Sequence, residues 1–474
     1  MNNSNISGVS ESDQHPQTLQ RAVLWMVLLN AFTTPLMLSA ANIALPAIAD
    51  DLGLSANTLS WIPLAYLMAS AMFVLMFGRL ADNHGRKRIF LLGTAAVIAS
   101  SLFAASAVGA GMLLAARFLQ GVSAAMLYAT QTALVISVYP PHQRGRIIGL
   151  LVAVIYIGLA AGPLLGGVVI DLFGWRAAFL LQVPLALIVL AIGIGSVRPE
   201  WRAEKTVPFD LPGAITYSTA ILLLCLGVSR LPAPDSSLLL GASAAMILWF
   251  VKQARRSAAP LWDVRLFFSN RVFTFSCAAS LIMYSATYAN VVLLSLYLQY
   301  LKDLPATMAG LLIMVQPLSM AILSPIAGRL SDRIEPRLLA SAGMLLTAVG
   351  LGMLATLSSG SPLSSIVLAL LITGAGFSLF SSPNVSAIMG SVPQQHYSGA
   401  SAAVATTRLL GQLNSMVLVT LVLTLILGGA ALSPDNYPLL ERSIRLSFTL
   451  AALICLPAIA LSLARGRIHA DIKP

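Results

Sequence analysis

About fourteen long apolar runs constrain the fold of this chain more than any other feature of its sequence. About 20 mostly apolar residues are needed to cross a bilayer core as a helix, and only helices or closed barrels satisfy the backbone there. The runs lack the alternation of membrane strands, so they predict an all-α membrane protein. The predicted spans are residues 22–46, 59–79, 89–108, 110–138, 147–170, 177–197, 212–231, 236–253, 273–299, 307–329, 337–357, 364–389, 399–428 and 443–465.

The composition agrees with many membrane spans. Apolar residues make up 58% of the 474 residues and charged residues 9%, whereas a soluble domain carries about 25% charged residues. A water-facing surface cannot be built from so few charges, which excludes an ordinary globular or disordered protein. Three cysteines and 34 glycines without a period exclude a disulfide framework and a collagen-like chain.

The basic residues predict the orientation of the chain. Of the 28 lysines and arginines, 21 fall on the side that carries the N-terminus and 5 on the other side, while Arg117 and Arg408 fall inside spans. Because positive loops stay cytoplasmic, both termini are expected in the cytoplasm, in a bacterial inner membrane. The net charge of +11 is thereby assigned to topology rather than to a nucleic-acid partner. Residues 1–20 are polar and are interpreted as a cytoplasmic tail, not a signal peptide.

Two loops repeat along the chain. Gly78-Arg-Leu-Ala-Asp82 returns as Gly328-Arg-Leu-Ser-Asp332 at an offset of 250, and the segment from Ser137 has an echo from Ser391 at an offset of 254. Such a repeat is typical of transporters built from two parallel halves around a central cavity. The predicted organisation is a tail 1–20, a six-helix half 21–200, two extra helices 201–256, a second six-helix half 257–465, and a tail 466–474.

The repeated loop is the first candidate site. Gly85 permits a tight turn, and Asp82 can accept hydrogen bonds from helix N-termini or pair with an arginine. A charged latch that breaks in one conformation and forms in another is what a rocking transporter needs. The alternative is a solvated turn whose charges only fix topology, but the repeat favours the latch. Its predicted residues are Gly78, Asp82, Gly85, Arg86 and Asp332.

The order of several motifs resembles the major facilitator superfamily. The Gly78–Lys87 loop is similar to its loop signature, and Leu114–Ala125 is similar to its fourth-span arginine motif. Gly158-x-x-x-Gly162-Pro163-x-x-Gly166-Gly167 resembles its fifth-span antiporter motif. Short motifs placed between positions 42 and 267, among them Asn42-Ile-Ala-Leu-Pro46, resemble the fourteen-span drug:proton antiporter family. The resemblance covers residues from about 42 to 412 and implies a fold of two six-helix halves plus two extra helices.

The resemblance gives roles to residues that are unusual in their own right. Arg117 lies inside a span, where a charge is expensive and usually functional, and the resemblance implies a role in proton coupling. An arginine that snorkels to the interface is the alternative. The glycines of the fifth-span motif allow close helix contact, and with Pro163 they predict a hinge and a seal against leakage.

Polar and aromatic residues elsewhere in the spans are candidates for a substrate cavity. Arg408 and Gln412 form a polar stretch for which binding and packing roles both stay open. The isolated polar residues can equally serve packing, and the aromatic residues can stack on an apolar ligand. The predicted cavity residues are Asn42, Tyr66, Tyr128, Gln131, Tyr156, Gln316, Asn384, Arg408 and Gln412.

The chain departs from the family pattern in its acidic residues. Met37 stands where that family usually has an aspartate, Glu335 stands where the first loop has Gly85, and none of the 17 acidic residues lies deep in a predicted span. An embedded carboxylate is the simplest proton carrier and the simplest partner for a cationic drug. Neutral amphiphiles or anions are therefore favoured as substrates. Proton coupling would run through Arg117, Asp82, Asp210 or a protonatable substrate.

The leading functional prediction is a secondary transporter that exports small amphiphilic compounds by alternating access, driven by protons. The alternative is an exporter or facilitator of a specific neutral or anionic metabolite without carboxylate-based coupling. A membrane enzyme would need a catalytic cluster, a sensor would need a soluble output domain, and an ATP-driven pump would need a phosphate-binding loop. The sequence shows none of these, so we expect a transporter that is not an enzyme and has neither cofactor nor metal. The resemblance to the superfamily implies that this transporter is a monomer.

Overall fold

The protein is all-helical, with fourteen helices long and apolar enough to cross a membrane among the residues described. The computed structural model describes residues 17–202, 208–257, 259–262, 264–265, 267, 270–331, 333–392, 397–428 and 432–466. The predicted number of spans is confirmed, and most predicted edges lie within a few residues of the helix ends. Several helices run past the apolar segments, because polar residues such as Asp82 and His84 continue a helix outside the bilayer core.

The first half of the chain contains eight helices. They are α1 Gln17–Ile43, α2 Leu45–Leu52, α3 Ala56–His84, α4 Arg86–Ala105, α5 Ala110–Val138, α6 Pro141–Phe173, α7 Trp175–Leu180 and α8 Val183–Gly195. Helix α2 is a short surface helix between the first two spans, and it ends at Gly53, whose φ of 61° a side chain would disfavour. Ser55 caps α3, since its Oγ accepts a hydrogen bond from the Thr58 N–H.

Two further helices lie between the halves, and the helices given below make up the described part of the second half. The pair is α9 Leu211–Ser229 and α10 Pro234–Arg256. The second half contains α11 Arg271–Thr287, α12 Asn290–Leu296, which a short π-helix Tyr297–Leu301 extends, α13 Ala306–Ile313, α14 Val315–Ser331, α15 Pro336–Ala355, α16 Leu363–Gly390, α17 Tyr397–Ile426 and α18 Tyr437–Ala464. Helices α9 and α10 pack on each other, and α9 also packs on α3 and α17.

The two halves repeat the same helix packing. Helix α6 packs on α1 in the first half as α17 packs on α11 in the second. A Cβ atom on Gly158 would lie under 3.0 Å from the Phe32 carbonyl, and one on Gly411 would lie equally close to the Leu281 carbonyl. Glycine is required at both places because two backbones approach each other directly. The equivalent contacts sit about 250 residues apart, as the repeated loops do.

Hydrogen bonds between the halves concentrate at one face of the bundle. We call the face that carries the start of α1 the N-terminal face and the other the opposite face. At the opposite face Tyr300 donates to the carboxylate of Asp50 at 2.9 Å, and Gln299 donates to the Ile43 carbonyl at 3.0 Å. Asp171 accepts hydrogen bonds from the backbone N–H groups of Ala306 and Thr307, at 3.3 and 2.8 Å. These bonds tie α1, α2 and α6 to α12 and α13, so the opposite face is closed.

A second carboxylate stiffens the same face within the first half. Asp51 accepts hydrogen bonds from Trp175 Nε1 at 3.0 Å and from Arg176 Nη1 at 2.8 Å. These two bonds hold the pKa of the Asp51 carboxyl below its usual range, so that it stays ionised at neutral pH. The loop between the first two spans is thereby anchored to α7.

Asp171→Asn is expected to loosen the closed opposite face. The substitution removes a negative charge from the N-terminus of α13 and one of two acceptor oxygens, an effect on the order of 1 kcal/mol. A cysteine introduced at Ala44, which is fully buried, should then react about fivefold faster with a membrane-impermeant maleimide. Asp235→Asn is the matched control, since Asp235 pairs with Arg230 at the turn between α9 and α10. Equal labelling of both variants would contradict closure by Asp171.

Candidate functional site

The Arg117 side chain is fully buried within the bundle. Its Nε donates to the Ile62 carbonyl at 3.1 Å and its Nη1 to Gln120 Oε1 at 2.8 Å, while Nη2 has no hydrogen-bond partner among the described residues. The guanidinium carbon lies 4.7 Å from the centre of the Tyr66 ring. Arg117 starts about 10 Å into α5 and points inward, so it does not snorkel to the interface.

Met37, whose side chain is an uncharged thioether, contacts the Arg117 guanidinium. Met37 Sδ lies 3.7 Å from Arg117 Nη1, and the side chain is buried against α5. Ion pairs among the described residues join Asp82 to Arg86, Asp51 to Arg176 and Asp235 to Arg230, and Arg117 takes part in none of them. The Arg117 charge is therefore solvated only by neutral groups of the protein.

Tyrosine side chains lead from Arg117 into the second half. The hydroxyl groups of Tyr66 and Tyr128 are 3.2 Å apart, and the Arg408 guanidinium of α17 lies 5.8 Å from the Tyr128 ring centre. Tyr156 of α6 forms a second link, since its hydroxyl lies 3.1 Å from Ser381 Oγ of α16. The structure thus brings four predicted residues, Tyr66, Tyr128, Arg117 and Arg408, into one group that spans the halves. We call these four residues the central cluster.

Sequence reasoning misses two polar residues, one at this site and one nearer the N-terminal face. Tyr288, at the end of α11, lies beside Arg117 and Asn42. In the sequence it is one of the tyrosines inside the predicted span 273–299, and neither its residue type nor its spacing separates it from a packing residue. Arg465 looks like one more cytoplasmic charge, yet it is buried and donates to Asn384 Oδ1 at 2.7 Å.

Three of the remaining predicted cavity residues, Gln131, Gln316 and Asn384, are hydrogen-bonded to residues outside the central cluster. Gln131 accepts a hydrogen bond from Asn30 of α1, and Asn290 Nδ2 lies 3.5 Å from Gln316 Oε1. Asn384 donates to the Ser276 carbonyl and to Ser280 Oγ, so with Arg465 it joins α11, α16 and α18 near the N-terminal face. Gln412 is half-buried in α17. A cavity role for these residues stays a prediction.

The predicted latch forms an ion pair within the first half. Arg86 donates through Nε and Nη2 to Asp82 Oδ1 at 3.0 and 2.9 Å, and through Nη1 to Ser137 Oγ at 3.0 Å. Gly85 has a φ of 118°, and a Cβ atom there would overlap Glu200, whose carboxylate accepts from the N–H groups that open α4. The latch therefore joins the α3–α4 turn, α5 and the segment after α8. Gly78 has open space around it, and Asp332 lies outside the described residues.

Asp210 lies at the base of the extra helices. Its carboxylate caps α9 through the Gly213 N–H at 3.0 Å and accepts from Gln253 of α10 at 3.0 Å and from the Leu261 N–H at 3.2 Å. These contacts fix α9 and α10 to each other and to the segment that leads into the second half. A role of Asp210 in proton coupling stays a prediction.

The glycines of the fifth-span motif pack against helices of both halves. Cβ atoms on Gly158, Gly162 and Gly166 would lie under 3.0 Å from α1, which belongs to the same half. On the next face of α6, a Cβ atom on Gly167 would collide with Ala306 of α13. A Cβ atom on Gly310 of α13 would lie under 3.0 Å from the Pro163 carbonyl. Helix α6 therefore packs closely against α1 of its own half and against α13 of the other half.

Two repeated six-helix halves that meet around buried polar side chains and close at one face define a multi-spanning transport protein. The chain belongs to the Major Facilitator Superfamily, whose model matches residues 27–414 and 275–469. Its relatives are transporters rather than enzymes.

Relatives with different cargoes resemble this chain. The riboflavin transporter RibZ of Clostridioides difficile is 31% identical over 81% of this chain and 84% of its own length. The multidrug resistance protein Stp of Mycobacterium tuberculosis is 29% identical over 89% of this chain and 77% of its own. The lincomycin resistance protein of Streptomyces lincolnensis is 34% identical over 69% of each chain. A solved POT family transporter in complex with a thioalcohol-conjugated peptide shares the fold, with a TM-score of 0.70, 15% identity and coverage of 94% of this chain and 96% of that one.

Gly162→Ala is expected to impair both stability and transport. The added Cβ atom would lie 2.5 Å from the Leu36 carbonyl and 2.6 Å from Ser39 Cβ, and overpacking of this kind costs about 1–3 kcal/mol. Gly149→Ala in the same helix is the control, because nothing lies within 4 Å of its Cβ position. The thermal unfolding temperature in detergent and the initial transport rate of both variants test this. The prediction fails if Gly162→Ala matches the control in both measurements.

Asp82→Asn is expected to lower transport about tenfold or more while leaving the fold intact. A part-exposed ion pair contributes only about 0–1 kcal/mol to stability, so the unfolding temperature should change little. Asp235→Asn, which breaks another Arg–Asp pair, is the control and should transport normally. Wild-type transport by Asp82→Asn would support the alternative of a solvated turn.

Proposed function

We propose that this protein is a proton-driven exporter of small amphiphilic compounds that works by alternating access. The observation that carries the proposal is the central cluster, where Arg117, Tyr66 and Tyr128 of the first half meet Arg408 of the second beneath a closed opposite face. Similarity to the multidrug resistance protein Stp and to the lincomycin resistance protein supports export of foreign compounds.

Alternating access requires two rigid halves and contacts that break on one side at a time. We assign the halves to residues 21–200 and 257–465, with the helices of 201–256 as an accessory pair. In the structure the Asp50, Asp171 and Gln299 contacts hold the opposite face shut. The latch at Asp82 holds its partners inside the first half. Outward opening would break the contacts of the opposite face and let α6 move on α13.

Proton coupling has to work without a carboxylate deep in a span. In the described structure the acidic residues of the spans lie within about two turns of a helix end, as Asp82, Asp171 and Glu441 do. The routes that remain are Arg117, the gate and latch carboxylates, Asp210, or a substrate that itself carries the proton. We place the N-terminal face in the cytoplasm of a bacterial inner membrane, on the 21 to 5 division of basic residues.

A second candidate is an exporter or facilitator of one neutral or anionic metabolite. The observation that favours it is the contact of Met37, and not a carboxylate, with Arg117. Similarity to a riboflavin transporter supports a metabolite as cargo. We propose that the transport unit is a monomer in either case, since one chain supplies both sides of the central cluster.

Flux in inside-out vesicles with an imposed pH gradient separates the two candidates. Proton antiport predicts uptake of a fluorescent amphiphile when the lumen is acidic, and collapse of that uptake when nigericin removes the gradient. Vesicles that carry the Asp82→Asn variant, which is expected to fold but to transport poorly, control for leakage. Saturable flux that ignores the gradient would reject proton antiport and support the facilitator.

A further inference from the structure

We propose that the transported compounds are aromatic anions and that Arg117 binds their anionic group, with Met37 as the residue that sets this charge preference. The proposal rests on the proposed function, because it places the cargo at the central cluster. Candidate groups are a carboxylate, a sulfonate or an acidic phenol attached to a planar ring system.

The charge of Arg117 is not balanced by any acidic group among the described residues. Its hydrogen bonds go to a backbone carbonyl and an amide oxygen, both neutral, and Nη2 keeps its N–H groups unpaired in a fully buried position. A guanidinium presents its donors as a planar fork that matches a carboxylate in two parallel hydrogen bonds. A buried charge without a counter-ion is costly. A ligand anion at Nη2 would supply the negative charge and the hydrogen-bond acceptors that the protein does not.

Met37 contacts Arg117 without balancing its charge. A thioether sulfur is a weak, uncharged acceptor, and at 3.7 Å from Nη1 it touches the guanidinium without neutralising it. A carboxylate at this place would form an internal ion pair and occupy the guanidinium permanently. Met37 is 2% exposed and fixed in α1, so it keeps the charge of Arg117 available to a ligand.

Aromatic side chains surround the anion site. The guanidinium carbon of Arg117 lies 4.7 Å from the centre of the Tyr66 ring, the hydroxyl groups of Tyr66 and Tyr128 are paired, and Arg408 lies near the Tyr128 ring. Aromatic faces favour a planar ring system, and tyrosine hydroxyl groups can donate to its acceptor atoms. Two arginines, with no carboxylate deep in a described span, repel a cation and attract an anion. A ligand that reaches from Arg117 to Arg408 would also bridge the two halves.

The test compares xanthene dyes that share a ring system and differ in charge, fluorescein as the anion and rhodamine 6G as the cation. Binding is measured as a rise in the unfolding temperature of the detergent-purified full chain, and transport is measured in vesicles. The variants are Met37→Asp and the uncharged control Met37→Leu. We expect wild type and Met37→Leu to bind fluorescein at least about tenfold more tightly than rhodamine 6G. We expect Met37→Asp to reverse that order.

Several outcomes overturn the proposal. It fails if wild type prefers rhodamine 6G, if Met37→Asp binds fluorescein as well as Met37→Leu does, or if no fluorescein binds. It also fails if chloride alone, compared with gluconate, stabilises the chain as much as fluorescein, since the counter-ion is then inorganic. Fluorescein binding with the expected Met37 dependence but without flux would support the anion site and reject the proposed export. Flux of rhodamine 6G alone would support export and reject the anion site.

Discussion

The close approach of helix backbones through glycine is the contact on which the rest of the structure depends. Helix α6 touches α1 through Gly158, Gly162 and Gly166, and touches α13 through Gly167, opposite Gly310. In a membrane, where lipid removes the hydrophobic drive for helix association, such contacts supply the packing that holds helices together. The same helix serves the interior of one half and the boundary with the other. A change in the shape of α6 therefore alters the packing inside the first half and between the halves.

Polar contacts are distributed unevenly along the membrane normal. At the opposite face they cross between the halves, through Asp50, Asp171 and Gln299. At the N-terminal face the Asp82–Arg86 pair and the Glu200 cap stay within the first half, and the contact of Arg465 with Asn384 stays within the second. The hydrogen bond from Arg79 Nη2 to the Pro260 carbonyl, at 2.9 Å, crosses there to the segment before α11. This asymmetry describes a molecule closed at one face, with each half braced internally at the other. Braced halves that separate at one face are what a rocking transport cycle requires.

Burial gives the charge of Arg117 its significance. An arginine at the surface contributes little to binding. A fully buried guanidinium with an unpaired Nη2 is energetically costly, and a bound negative group would offset that cost. The chain provides tyrosines and a methionine around it. The low content of charged residues first indicates a membrane protein. The lack of acidic residues deep in the spans also bears on which compounds the protein can carry.

Much of the fold is readable from the sequence because it follows from local rules. The number of spans follows from bilayer thickness, and the repeat follows from the two similar loops. The loop motif names Asp82 and Arg86 as latch residues, while their pairing depends on the turn at Gly85 between α3 and α4. The glycine contacts of α6 follow from the small residues themselves. Among the proposed cavity residues, sequence reasoning names Tyr66, Tyr128 and Arg408 on the basis of residue type alone. It gives no reason to separate them from Gln131 or Asn384, which bond elsewhere.

The sequence by itself determined the all-helical class, the fourteen spans, the repeat and the lack of acidic residues deep inside spans, because hydropathy and charge act residue by residue. Only the tertiary structure decided which polar groups meet. It set Met37 against Arg117 across two helices, joined Tyr128 to Arg408 across the halves, buried Arg465, and made Asp171 a tie to α13. Such pairings depend on the rotation and depth of packed helices, which periodicity along one chain does not encode.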